Sequence, residues 1–225
     1  MLIDMARKTK QMGRKARRRA FSLATHPAQR IKLMGPLLHP YWRMQFHSFG
    51  AGSVCHKPFW LEGANKIAVG DDTMLIGVWL GVTGKAWGKP DPEPALRIGS
   101  NVVILPYSRI IAFESVVIED HVAIACNVGI GDAEHTKAGS WDSFTQGPLD
   151  TAPTRIGRGT LLGERVSVLK GSNIGKSCFI GTNAVVQGRI PDYSIAIGAP
   201  ARVIGRTRGA RTSAGVGVSP ETVVP

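Results

Sequence analysis

The sequence predicts an all-β solenoid, a chain wound into stacked three-sided coils, and three observations carry that expectation. From Ile156 an aliphatic residue returns every six positions, at Ile156, Leu162, Val168, Ile174, Ile180 and Val186. Glycine follows four of these six, as Gly157, Gly163, Gly175 and Gly181, and modest residues recur four places on, at Thr160, Val166, Ser172, Cys178 and Ala184. The same beat appears earlier, at Ile98, Ile104 and Ile110, and resumes after a slip of two residues at Ile118, Ile124 and Ile130. A weaker start is visible at Val69 and Leu75.

A period of six fits neither an amphipathic helix, at about 3.6 residues per turn, nor a strand alternating at 2. It fits a coil in which each hexad makes one short strand and one corner. The aliphatic residue points into the prism, glycine eases the corner and the small residue packs inside near the turn. Three hexads complete a coil, so 156–173 and 174–191 form two coils and 98–115 and 118–135 two more, with the slip absorbed at a corner. Stacking covers the strand edges of every coil but the terminal ones.

Two stretches break the beat. Residues 84–95, with three prolines, bulge from one corner, and 136–155 form a second, longer loop. Long unpatterned loops in a compact domain are usually functional. The expected organisation is a basic N-terminal helix (5–24) and capping segment over 1–60, the solenoid over 61–191, and a closing segment over 192–225 with a flexible tail after Gly205.

The net charge of +12 is unevenly placed. Residues 1–30 hold nine Lys/Arg against Asp4, and 202–225 hold four arginines against Glu221, so the ends carry +8 and +3 and the body +1. Basic ends favour an anionic partner but say little about fold. Residues 1–24 are a candidate for peripheral contact with an anionic membrane. The run from Arg14 to Arg19 comes without any nucleic-acid-binding motif, so nucleic acid is not the expected partner. Three widely spaced cysteines, Cys55, Cys126 and Cys178, fit a reducing compartment, and no apolar run approaches a transmembrane length. The expected location is cytoplasmic, extending to the inner face of the membrane.

Three stretches resemble the hexapeptide-repeat acyltransferase superfamily, in particular its branch of sugar O-acetyltransferases that serve polysaccharide biosynthesis. They are Ile118 to His135, Ile156 to Val186, and the closing segment Ile190-Pro191-Asp192-Tyr193-Ser194-Ile195-Ala196-Ile197-Gly198-Ala199-Pro200-Ala201-Arg202-Val203-Ile204. The resemblance implies a left-handed parallel β-helix, a homotrimer, and acetyl-CoA as acyl donor in a groove between subunits, with a carbohydrate or glycan precursor as acceptor. It implies that His135 is the general base, oriented by a carboxylate for which Glu134, Asp132 and Glu114 are candidates. It also implies CoA contacts at Gly163, Lys170, Gly181, Thr182 and Arg202; Trp141 is a candidate for stacking on the acceptor. The chain departs from the family at Glu164-Arg165, where small residues are usual, and at Gln187-Gly188, where Thr-Lys is common. A sugar-nucleotide N-acetyltransferase differs from this reading only in the acceptor. A metalloenzyme of the γ-carbonic anhydrase type needs three histidines on one zinc, and only His121 and His135 lie in regular coils, so no metal is expected. A non-catalytic scaffold is the remaining alternative.

Overall fold

The computed structural model describes residues 39–83, 94–135 and 149–207. Three largely parallel sheets of seven, eight and six strands make the three faces of a prism. The first face stacks Ser48–Phe49, Ile67–Val69, Leu96–Ile98, Val116–Ile118, Thr154–Ile156, Asn173–Ile174 and Arg189–Ile190. The second stacks Val54–His56, Met74–Ile76, Val103–Ile104, Ala123–Ile124, Leu161–Leu162, Phe179–Ile180 and Ser194–Ile197, closed by antiparallel Arg202–Arg206. The third stacks Trp60–Glu62, Trp79–Val82, Arg109–Ala112, Gly129–Gly131, Ser167–Val168 and Val185–Val186.

The six-residue beat becomes three inward columns. Val69, Ile98, Ile118, Ile156, Ile174 and Ile190 stand in register on the first face. Leu75, Ile104, Ile124, Leu162 and Ile180 do so on the second, and Leu80, Ile110, Ile130, Val168 and Val186 on the third. All are buried. Each such side chain contributes about 1.5–3 kcal/mol relative to exposure. The small residues four places on are buried as well, and the polar ones tie coil to coil. The Thr160 hydroxyl donates to the Gly175 carbonyl at 2.8 Å and accepts from the Cys178 N–H at 3.0 Å.

The glycines after the aliphatic residues have a different cause from the one expected. The left-handed residues at the corners stand two places later, at Gly159, Arg165, Ser177 and Asn183. Gly157 and Gly175 instead permit close approach: a Cβ on Gly157 would lie 2.5 Å from the Gly175 carbonyl carbon, and one on Gly175 would lie 2.5 Å from the Asp192 nitrogen.

The solenoid also begins earlier than expected. The segment assigned to capping holds a full coil, in which Phe49, Cys55 and Leu61 pair with Val69, Leu75 and Leu80. Its beat of six was hidden because an aromatic and a cysteine stand where aliphatic residues mark later coils. Burial pushes the Cys55 thiol up to about 12. Residues 39–45 are helical and close the open end, with Trp42 and Phe46 packed edge-on against each other. The first bulge is shorter than 84–95, because Ala95 is fully buried in the core. The chain also stays ordered beyond Gly205, since Arg206 pairs with Ser194 and the Thr207 N–H donates to the Tyr193 carbonyl at 2.8 Å. The basic segment 5–24 and the tail from 208 lie outside the described residues.

The outward rows differ in chemistry. On the first face Arg97, Val117, Arg155, Asn173 and Arg189 alternate charge with small or polar groups. On the second, Val54, Met74, Val103, Ala123, Leu161, Phe179 and Ile195 form an unbroken apolar row.

The glycine geometry has a measurable consequence. Gly157→Ala is expected to cost about 1–3 kcal/mol through overpacking, whereas Gly129→Ala, whose Cβ would meet nothing within 4 Å, leaves stability essentially unchanged. Thermal unfolding of the two variants beside the parent checks this, and equal melting temperatures for both would contradict it.

Candidate functional site

The slip of two residues and the second loop are one construction. After Gly131 the chain leaves the solenoid as Ala133–His135, which pairs antiparallel with Leu149–Thr151 before Thr154–Ile156 opens the next coil. The expected loop 136–155 is therefore a hairpin whose second strand is already inside that range; residues 136–148, with Trp141, lie outside the described residues.

Asp132 is the pivot. It is fully buried, and its carboxylate accepts from the N–H groups of Phe113, Glu114 and Ser115 at 2.8, 2.8 and 2.7 Å. These three residues are the corner where the extra two were inserted. Successive amides at a tight turn form a concavity that calls for an anion, and Asp132 supplies it from the coil above.

Side chains alternate along the hairpin. Glu134 stands opposite Asp150 across the ribbon, a like-charge pair that would repel. Lys170 resolves the conflict: its ammonium is hydrogen-bonded to Asp150. That bond, followed by the charges of Asp150 and Glu134, raises the Lys170 pKa. His135 points to the other side of the ribbon and is exposed. No hydrogen bond to its ring is present among the described residues. Of the three carboxylates expected to orient it, Asp132 is consumed by the corner amides, Glu134 faces away, and Glu114 accepts from the Thr151 hydroxyl at 2.6 Å. None reaches His135.

The residues expected to contact CoA separate into two places. Gly163 and Gly181 stack on consecutive coils, with the Gly163 N–H donating to the Ile180 carbonyl at 2.8 Å. Thr182 is exposed at the same corner, and Arg202, exposed on the closing strand, pairs with Ile197, which packs on Gly181. Lys170 stands at the opposite corner of the third face, in its bond to Asp150 rather than free for a phosphate.

On the third face beside the hairpin lies an open trough of about 240 Å³, with Gly129 and Gly131 as its floor and Arg109, Ile111, Ser167 and Lys170 along its sides. Arg109, Asp150 and the trough were not anticipated; the visible signal was Gly129-Ile130-Gly131, where glycine flanks a core residue on both sides. Among the described residues no three of His, Cys, Asp and Glu gather as a metal site, and no helix is long and apolar enough to cross a membrane.

No family model matches the chain. A Mycobacterium tuberculosis protein named a probable acetyltransferase is 38% identical over 129 residues, 57% of this chain and 43% of that protein. An Escherichia coli protein named for lipopolysaccharide-biosynthesis O-acetyl transfer is 29% identical over 155 residues, 65% of this chain and 75% of that one. The chain thus spans less than half of the mycobacterial relative. A hexapeptide-repeat acetyltransferase of Vibrio cholerae, solved with acetyl coenzyme A, shares the fold with a TM-score of 0.53 at 21% identity, over 80% of this chain and 85% of that one. The fold is the left-handed parallel β-helix of those enzymes.

Asp132→Ala is expected to destabilise the chain by about 3 kcal/mol or more, since it strands three amides that a charged acceptor now satisfies. Chemical denaturation measures it; a loss under about 0.5 kcal/mol would show that the carboxylate does not hold the corner.

Proposed function

From a chain that shares sequence and fold with the hexapeptide-repeat acyltransferases, we propose an enzyme that moves an acetyl or other short acyl group from acyl-CoA to a sugar hydroxyl of a surface glycan or its precursor. His135 is the general base. The observation that supports this most directly is an exposed imidazole with no hydrogen-bond partner among the described residues, carried on a hairpin that the fold expels from its third corner and pins with Asp132.

A sugar hydroxyl is a weak nucleophile at neutral pH, and imidazole titrates where it can take that proton during attack. The hydroxyl oxygen bonds to the thioester carbonyl carbon as its proton passes to the ring. Collapse breaks the carbon–sulfur bond, and the ring returns the proton to the departing thiolate. Backbone N–H groups at a coil corner are the natural donors to the oxyanion. The donor supplies an acyl group activated as a thioester. Gly163 and Gly181 are buried between coils, so the exposed surface at that corner is Thr182, open to its pantetheine arm, and Arg202 is an exposed cation for its phosphates.

The chain acts as a homotrimer in this reading. Leu161 and Phe179 are 41% and 42% exposed in the apolar row of the second face, and a row of that length in a single chain marks a surface a neighbour covers. A neighbouring subunit also supplies what the described residues of one chain do not place around His135, including a group to orient the ring. The enzyme works in the cytoplasm, with residues 1–24 held near anionic lipid.

His135→Ala is expected to lower acetyl transfer by about 10²–10⁴-fold while leaving thermal unfolding unchanged, because the side chain is exposed. Acetyl-CoA consumption with a glycan acceptor measures the first and circular dichroism the second. Undiminished transfer by the variant would end the assignment of His135 as base.

A further inference from the structure

The third face carries a second feature that the transfer chemistry does not use. Trp60, Trp79, Arg109, Gly129 and Ser167 stand in one outward row across five adjacent strands. Four strand spacings make that row about 19 Å long. At one end the Trp60 and Trp79 rings lie 5.8 Å apart at 38°, and the Phe59 ring lies 6.1 Å from Trp79 at 35°. Trp60 is 52% exposed and Phe59 69%. The Trp60 indole N–H donates to the Glu62 carboxylate at 3.3 Å, which holds the ring in place with a face to solvent. At the other end the trough opens beside Gly129 and Gly131.

The glycines there are unlike those at the corners. A Cβ on Gly129 would meet nothing within 4 Å, and one on Gly131 only the Ile111 carbonyl oxygen at 3.9 Å. Neither has a left-handed backbone. The fold therefore requires glycine at neither position, and what the absent side chains leave is space.

The chemistry of that space selects its occupant. At about 240 Å³ it falls below the range that takes drug-sized ligands, roughly 300–1,000 Å³, so it admits one ring and not a nucleotide cofactor. Its lining charges balance, with Arg109 and Lys170 against Glu134 and the buried Asp132, leaving donors and acceptors with no net charge to favour phosphates. Rigid aromatic faces beside a neutral polar slot suit a polyhydroxylated ring, whose C–H face stacks while its hydroxyls hydrogen-bond.

We propose that the third face binds the acceptor as a neutral oligosaccharide, with one sugar ring in the Gly129–Gly131 slot and the following rings stacked on Trp79 and Trp60. The acceptor class is then a chain of several sugars, anchored beside the hairpin on the side that Glu134 lines. As an acceptor site this rests on the acyl-transfer reading; as a binding site it stands apart from it.

The test probes the full chain, Trp79→Ala and Gly129→Leu against an array of neutral gluco-, galacto-, manno- and xylo-oligosaccharides of one to six units. Sedimentation of all three proteins and the melting temperature of the parent with acetyl-CoA complete it. Retention is expected to rise with chain length to about four units, the span of the row, to weaken about ten-fold in Trp79→Ala, and to vanish in Gly129→Leu at unchanged sedimentation. A blank array, or retention indifferent to both substitutions, overturns the proposal. So does a smaller assembly for Gly129→Leu, which would make the face a contact between copies. A blank array with acetyl-CoA still stabilising the parent defeats this inference alone. Length-dependent retention without any effect of acetyl-CoA upholds the glycan site and defeats the transferase reading.

Discussion

Every feature of the molecule depends on how closely one coil can sit on the next. Parallel strands must come within about 4.8 Å to share hydrogen bonds, and at the corners between the first and second faces the backbones meet with no room for a Cβ. Gly157 and Gly175 satisfy that constraint on successive coils, and the buried columns of Ile, Leu and Val follow from it. With spacing set by the backbone, only side chains of matching bulk fill the interior without voids or strain. The hydroxyl of Thr160 and the thiol of Cys178 sit inside these corners, and that of Ser172 inside the corner between the third and first faces, because each finds a carbonyl of the neighbouring coil.

Against so strict a scaffold, irregularity has a cost, and the chain concentrates it in one place. The corner Phe113-Glu114-Ser115 has two residues more than the repeat allows, which leaves amides turned inward. The coil above answers with a buried carboxylate, and immediately after that carboxylate the chain departs as a hairpin. The insertion below and the projection above thus stabilise each other. Lys170 performs a like service at the edge by separating Glu134 from Asp150. The residue presented by all this, His135, is exposed and bound to nothing among the described residues.

The three faces divide the remaining work. The first, ribbed with arginines, is suited to water. The second is apolar along its whole length and suited to a neighbouring copy. The third joins an aromatic platform to a glycine-floored slot and ends at the hairpin. A triangular prism permits such a division because alternate residues of each strand project outward without influence on the core.

The repeat alone was enough to establish the architecture, the register of the later coils and the position of His135 at a break in the pattern. Those are matters of local spacing, since a residue six places on must recur on the next face whatever else the chain does. The first coil escaped notice because Phe49 and Cys55 fill aliphatic positions with other chemistry. The bonding of Asp132, Glu134 and Lys170 was not legible for a deeper reason. Proximity in sequence to His135 suggested a dyad, but alternation along a strand turns neighbours apart, and a carboxylate is claimed by whatever amides the next coil leaves unsatisfied. Which charges meet, and which glycines make room rather than merely fit, are decided only when the coils are stacked, because both depend on atoms some twenty residues away in the chain.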